Sequence, residues 1–519
     1  VKAILEKLKS LYSNNIMKNI VVVGAGFAGW MTALYARHLF RNSNIMVIGS
    51  KEIGILGAGE GTVPQFQEFF RKLEIDPDDV IRYCKATLKY GIRFDNWKKD
   101  GSGSYISAFR NEQRPNPEYQ NLGINLDFVQ LYAKLNDLNI DDYLAANNHL
   151  IENKVLFDDN LSERLPEIIG RAYHFDANDI AEFLSSVALS RNIQYIDDIV
   201  TDFVQSDDGR ITKINTKNYQ IDVDFVFDCT GFKRLIIGKL YNSEFVSVRE
   251  RLPVNTAIPF FLPPKEEVEP YTTARAMKYG WCWKIPLQHR YGCGYVFDNT
   301  TCDIDQAKKE IIDVFGQVEI NRNFSFEAGY YSEVWKKNCI AIGLSGSFIE
   351  PLEATSIWLA MAQIQILKDY IIGMETLDQY VIDKYNGNVR ESIEHKVDYL
   401  QFHYLNGRSD TLFWKKINTT KRSDKLIAMM KSWMTIVPEN YTETFYPNSF
   451  MHFNQAAWLA VGNGIDAFNK TMIQKNVYAH EQFYTNFTEN TDNYRMAIKN
   501  HTKTSITHQE YLNRMVGKR

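Results

Sequence analysis

The chain has 519 residues, 45% of them hydrophobic, which is enough for more than one domain around a sizeable core. Its 59 basic and 63 acidic residues leave a formal net charge of −4 with no long run of either sign. That balance argues against a nucleic-acid partner or a polybasic membrane surface and points to small-molecule chemistry. Cys84, Cys229, Cys282, Cys293, Cys302 and Cys339 form no C-x-x-C pair, so neither a zinc site nor a disulfide framework is indicated, and the expected compartment is reducing and cytoplasmic. No segment reaches the roughly 18 apolar residues of a membrane span, and the opening VKAILEKLKSLYSNNI lacks the apolar core of a signal peptide.

Met17 is a candidate start, with residues 1–16 read as an extension or a short helix. From Lys18 the sequence predicts a strand (NIVVV), a tight turn (GAGFAG) and a helix (WMTALYARHLF), and NIMVIGS supplies a second strand that completes a βαβ unit. Gly24, Gly26 and Gly29 stand as G-x-G-x-x-G between strand and helix. There the first glycine makes the turn, the second admits a pyrophosphate and the third packs helix on strand. The carboxylate expected after the second strand, to hold a ribose, is absent. Gly49, Ser50 and Lys51 occupy that region, so Ser50 or Glu52 substitutes or the ribose is held more loosely.

Between Ile199 and Gly231 the pattern is β-rich, with a turn at SDDGR and a buried strand at FVFDC. Antiparallel structure is predicted to continue through GWCWKIP (Gly280 to Pro286) to Val296. In that stretch Trp281 and Trp283 share one face of a strand, and core packing accounts for them on the motif alone. Helices are predicted from Thr355 onward, and Val381, Tyr385, Val389, Ile393 and Val397 form a core stripe at i, i+4. DFVFDCTGF and NCIAIGLSGSFIEPLEATSIW resemble the strands that return to the cofactor in flavoproteins and together favour FAD over NAD, although each read singly is equally a buried strand. No repeat or linker is visible.

The motifs then become specific. AMKYGWCWKIPLQHRYGCGYVF contains W-x-W-x-I-P and resembles the tryptophan-halogenase branch of the flavin-dependent halogenases. GAGEGTVP, LKYGIRFDNW, YHFDANDIAEFL, IEPLEATS and HYLNGRSDTLFW match the same family in order over about 390 residues. The resemblance implies an α/β fold with a Rossmann-type, flavoprotein monooxygenase-like FAD domain over residues 17–374, interleaved with substrate-site segments, and a mainly helical substrate-side region over 375–519. It implies reduced FAD from a separate reductase, a flavin hydroperoxide opened by halide, and hypohalous acid that halogenates a small, electron-rich aromatic. A homo-oligomer is left open.

Residue by residue, the resemblance puts the catalytic lysine at Lys89 and the catalytic glutamate at Glu353. An ammonium can hydrogen-bond hypohalous acid or become a haloamine, and a carboxylate can orient that acid or take the ring proton. Glu350 matches the motif's other acid and reads as structural. Thr355 and Ser356 match the halide pair, at what reads as a helix N-terminus. Gly24, Gly26, Ala28, Gly29, Ser50, Gly57, Glu60, Gly61, Val200 and Leu344 are expected to contact FAD. Phe109, Trp281, Trp283 and Trp458 are expected to line the substrate side or its tunnel. No metal is implied.

Three departures from the family pattern matter. Ser356 stands where glycine is usual, and Ala354 where serine is usual, so bromide or iodide is expected to be favoured over chloride. Ser107 replaces the histidine two positions before Phe109. The stretch Ser449 to Gly464 lacks the residues that grip an amino-acid backbone, so free tryptophan is not the expected substrate. The rival readings are a single-component aromatic hydroxylase, disfavoured by Asp228-Cys229-Thr230-Gly231 where such proteins carry Asp-Gly, and a flavin-binding scaffold without turnover.

Overall fold

The run Asn19–Val23 is apolar on both faces and lies at the centre of a six-stranded sheet, as expected of a parallel strand covered on each side. The strand order is Trp335–Lys336, Cys339–Ala341, Phe225–Asp228, Asn19–Val23, Asn44–Gly49 and Gln194–Asp197, parallel throughout except for the first, which is antiparallel. Chain order reverses on either side of Asn19–Val23, which makes its C-terminal end the switch point where such sheets receive ligands. Asn19–Val23 runs through the glycine turn into the helix Phe27–Leu39, whose Trp30, Met31, Ala33 and Leu34 are buried. The computed structural model describes residues 17–54, 57, 59–109, 126–155, 170–320, 322–437, 444–448, 453–479 and 481–517. The expectation for residues 1–16 therefore lies outside the described residues.

A second, seven-stranded sheet is ordered Phe324–Ser325, Thr256–Leu262, Tyr291–Phe297, Gly280–Pro286, Thr272–Ala276, Gly91–Asp95 and Ser104–Ala108. Its pairs are antiparallel apart from Thr272–Ala276 with Gly91–Asp95. A separate three-stranded antiparallel sheet is ordered Glu60–Gly61, Ala172–Phe175 and Thr87–Lys89. From Thr355 onward the described elements are helical, the longest being Gln379–Tyr404, with Tyr385, Val389, Ile393 and Val397 buried along it. One apolar cluster runs from Met17 through both large sheets to Met515. No described helix is long and apolar enough to cross a membrane.

The signature strand Gly280–Pro286 shows how sequence sets local packing. Trp281 and Trp283 lie side by side with ring centroids 6.3 Å apart, while Cys282 points to the opposite face and a separate apolar cluster. The neighbouring strand makes room with glycine, because a Cβ built on Gly294 would lie 2.0 Å from Cζ2 of Trp283. Gly294→Ala is expected to push Trp283 off the sheet and to cost about 1–3 kcal/mol, the range for overpacking a filled site. A urea midpoint equal to that of the native protein would show that the indole relocates freely.

Candidate active site

The cleft at the switch point is built from glycines that cannot be replaced without collision. Gly24 has φ of +119°, and a Cβ on it would lie 2.2 Å from the Cys229 carbonyl oxygen; a Cβ on Gly29 would lie 1.9 Å from the Gly24 carbonyl oxygen. Gly26 differs, since a Cβ there would meet nothing within 4 Å. It caps the helix Phe27–Leu39, which has no side-chain cap and no acidic residue in its first turn. Bare amides facing open space fit the pyrophosphate of FAD. Ser50 follows Gly49 at the end of Asn44–Gly49, whereas Glu52 pairs with Lys217 in an exposed ion pair at 3.6 Å. Asp198 donates its N–H to the Gly49 carbonyl at 2.9 Å, which brings Val200 to the same end of the sheet. Gly343 packs against Ala28, and this sets Leu344 beside the helix start. Gly57 lies under Ala177, and burial together with the Asp176 carboxylate pushes Glu60 up to about 7.

Lys89 ends the strand Thr87–Lys89 and is 1% exposed. Its ammonium donates to the Thr62 carbonyl oxygen at 3.1 Å, lies 5.1 Å from the Phe109 ring centroid, and would be 3.2 Å from a Cβ on Gly61. The segment Gly61–Thr62 therefore touches the amine directly, and glycine at 61 leaves the ammonium its space. Burial lowers the lysine to about 8, with the Glu353 carboxylate acting in the opposite direction.

The strand that carries Lys89 is fixed on both edges. On one edge it pairs with Ala172–Phe175. On the other, the Leu88 N–H donates to Nε2 of His508 at 3.0 Å, and His508 Nδ1 is held 2.9 Å from the Val268 carbonyl. Burial drops His508 to about 4, so the imidazole is neutral and keeps its acceptor. The Thr87 hydroxyl donates to the Pro286 carbonyl at 2.6 Å, which ties the lysine strand to the end of GWCWKIP, and His174 bridges Thr87 and Thr272.

Glu353 lies just before the helix Thr355–Ile366 with φ 64°, and Ala354 follows with φ 54°; two successive non-glycine residues are thus held in the left-handed region. Such strain costs roughly 1–3 kcal/mol per residue and collects where surroundings force it. Glu353 Oε1 is 3.1 Å from Nε2 of buried His403. The helix begins at Thr355, with Ser356 half-buried in its first turn, no acid in that turn, and an alanine cap that offers the first amides no side-chain acceptor. An anion fits there. Glu350, fully buried, accepts from Tyr404 at 2.9 Å and is pushed up to about 8 by burial, so it is mostly a neutral acid at pH 7.

The sequence-derived set divides in space. Lys89, Phe109 and Gly61 meet directly, and Glu353 acts electrostatically on Lys89, Tyr105 and Tyr399. Trp281 is 1% exposed, facing the Glu350–Tyr404 pair, and Trp283 keeps 8%. Trp458 is buried, donating to the Phe453 carbonyl at 3.2 Å and packing edge-on against Tyr399 with ring centroids 4.9 Å apart. Residues 449–452 of the substrate-side stretch lie outside the described residues. Asp228 accepts from Thr230, Ile236 and Ile237 N–H groups and is consumed in holding its own turn. Sequence reasoning did not single out Thr62, His174, His403 or His508. Three of them stood inside quoted motifs, Thr62 in GAGEGTVP, His174 in YHFDANDIAEFL and His403 in HYLNGRSDTLFW, whereas His508 carried no signal.

Residues 19–478 match the family described as tryptophan halogenase. Over 459 residues the chain is 30% identical to tryptophan 6-halogenase ThaL of Streptomyces albogriseolus, spanning 83% of this chain and 84% of that one. Among solved structures, Tar14, a tryptophan C-6 flavin-dependent halogenase (chlorinase) from taromycin biosynthesis, superposes with a TM-score of 0.86 at 27% identity, over 96% of this chain and 99% of the other. BrvH, a flavin-dependent halogenase from Brevundimonas sp. BAL3, gives 0.81 at 25% identity, over 96% and 99%. The chain belongs to the tryptophan-halogenase family, and with it to the Rossmann-type flavoenzymes that use reduced FAD, oxygen and halide to halogenate aromatic substrates.

Proposed function

We propose that this enzyme halogenates a neutral, electron-rich aromatic small molecule, with Lys89 aiming hypohalous acid and Glu353 accepting the ring proton. The observation that carries the reading is the Lys89 ammonium, buried yet kept between a carbonyl, an aromatic face and the field of Glu353, in contact with the segment Gly61–Thr62. Bound reduced FAD, with oxygen, supplies the oxidising equivalents that turn halide into hypohalous acid. The Gly24–Gly29 turn would hold its pyrophosphate and Ser50 its ribose, with Gly61 left open beside the Lys89 ammonium. Thr355 and Ser356 hold halide at the helix start.

The Lys89 ammonium hydrogen-bonds the hypohalous oxygen and gives it a proton as the O–X bond breaks. Water leaves, and the halogen bonds to the ring carbon as X⁺. The ring C–H bond then breaks, its electron pair restores aromaticity, and Glu353 takes the proton. Phe109 and Ser107 border the ring on the Lys89 side. A serine at that wall and a stretch Ser449 to Gly464 without acidic or basic side chains other than His452 favour phenols, anilines or indoles over free tryptophan, since burying unpaired charges is costly. One dinucleotide fingerprint in the sequence supports a separate reductase, in a cytoplasmic setting.

Lys89→Met should lower halogenated product by roughly 10²-fold or more, as for loss of a positioned proton donor, while oxygen consumption with reduced FAD stays within about twofold. In the native enzyme, product formed per oxygen consumed should hold steady at lower pH and fall as pH rises through about 8, where the buried ammonium loses its proton. Equal loss of oxygen consumption and product would place Lys89 in the oxidant-forming step instead.

Gly26→Ala, with open space around the new Cβ, should leave apo stability unchanged and weaken FAD binding by about tenfold, equivalent to about 1.4 kcal/mol. Gly29→Ala should destabilise the apo protein itself because of its collision with the Gly24 carbonyl. FAD titration beside thermal unfolding separates the two. Equal effects of both on apo stability would contradict the assignment of Gly26 to the ligand.

An acceptor panel run with chloride, bromide and iodide at equal concentration should rank neutral aromatics above free tryptophan, and bromide or iodide above chloride. Chloride, the most strongly hydrated of the three, needs the closest anion contacts. Ser356→Gly should raise chloride turnover relative to bromide. Efficient chlorination of free tryptophan by the native enzyme, unchanged in that variant, would overturn both assignments.

A further inference from the structure

We propose that His403 is the positioning residue of Glu353, holding it through one shared proton so that a single carboxylate oxygen is left for the substrate. This builds on the role given to Glu353 above.

The proton count follows from two contacts. His403 Nδ1 lies 2.9 Å from the carbonyl oxygen of Tyr399, one helical turn earlier in Gln379–Tyr404. A carbonyl has no hydrogen to give, so Nδ1 carries one. Nε2 is 3.1 Å from Glu353 Oε1, and two lone pairs do not meet at that distance without a hydrogen between them. One proton therefore lies on the Nε2–Oε1 line, whether the pair is written as imidazolium with carboxylate or as imidazole with carboxylic acid. The Tyr399 carbonyl fixes which nitrogen faces Glu353.

The surroundings make the contact consequential. The imidazole is fully buried and packed among Phe94, with centroids 5.0 Å apart, and Tyr399, at 4.8 Å. Glu353 itself has a left-handed backbone with φ 64° and ψ 13°. A side chain projecting from a strained turn needs an anchor to hold one rotamer, and the pair supplies it. Oε2 has no protein partner among the described residues and is the oxygen that takes the ring proton. When it does, the Glu353–His403 pair gains one positive charge while Lys89, having protonated the departing oxygen, has lost one. The charge of the buried site is thus unchanged over the step.

The test sets a hydrogen-bond donor against a ring. His403→Gln keeps an N–H donor for Oε1 and loses the imidazole; His403→Phe keeps the packed ring and loses the donor. Each is made alone and with Glu353→Gln, with FAD binding as the check on folding and His403→Leu replacing His403→Phe if that variant does not fold. Expected is a kcat within about threefold of native for His403→Gln. For His403→Phe a loss of at least about tenfold is expected, with KM for the aromatic unchanged within about twofold, and no further loss when Glu353→Gln is already present. A ring variant that equals or exceeds the donor variant, or that costs as much with Glu353→Gln as without it, overturns the proposal and leaves His403 as packing. Native turnover in Glu353→Gln alone would instead remove Glu353 as the proton acceptor, which is the failure of the function proposed above.

Discussion

The constraint on which the site depends is the burial of one ammonium. Taking Lys89 out of water is expensive, and the protein offsets that cost with the Thr62 carbonyl, the face of Phe109 and the field of Glu353. Each of these comes from a different part of the chain and has to arrive in register. Thr62 follows the strand Glu60–Gly61, Phe109 follows the edge strand Ser104–Ala108, and Glu353 precedes the helix Thr355–Ile366. The small sheet of Glu60–Gly61, Ala172–Phe175 and Thr87–Lys89 lies where these meet, with Lys89 at the end of one strand and Thr62 just after another.

Strain and space are distributed to serve that meeting point. Glycine is used where the backbone or a large ring needs the room of a Cβ: at Gly24 and Gly29 in the turn, at Gly61 beside the ammonium, and at Gly294 under an indole. Where the turn before Thr355 needs left-handed backbone, the chain instead uses Glu353 and Ala354, and accepts the cost. A glycine at 353 would have relieved the strain and removed the carboxylate. The signature tryptophans sit between these demands. Trp281 packs toward the neutral acid of Glu350, and Trp283 lies over Gly294. Packing therefore accounts for most of their contact surface, as the i, i+2 spacing on one strand face already indicated.

The nucleotide fold was legible because its signals are local: an apolar run, three glycines at fixed spacing, and a helix within about 30 residues. The missing ribose carboxylate was equally visible, and Glu52, one of the two substitutes the sequence offered, is engaged in an exposed ion pair with Lys217. Lys89 and Glu353 were found only through family resemblance, since a lone lysine in LKYGIRF carries no sign of burial. His403, His174, Thr62 and His508 escaped because their roles come from contacts far apart in sequence. A histidine at i+4 from a tyrosine reads as one more helix residue until the turn carrying Glu353 is folded against it. Tertiary hydrogen bonds to a backbone N–H, such as that of Leu88, leave no trace in composition or periodicity.

The imidazole of His508 stands in for a neighbouring strand along the outer edge of Thr87–Lys89, across a separation of 420 positions. Contacts of such span form late, after most of the loop-closure entropy has been overcome. During synthesis the glycine turn, at residues 24 to 29, emerges long before residue 508, so the strand Thr87–Lys89 keeps an open edge until the last helix docks. An immature or locally opened molecule, with its last helix undocked, would resemble a flavoprotein that consumes oxygen without steering what it makes.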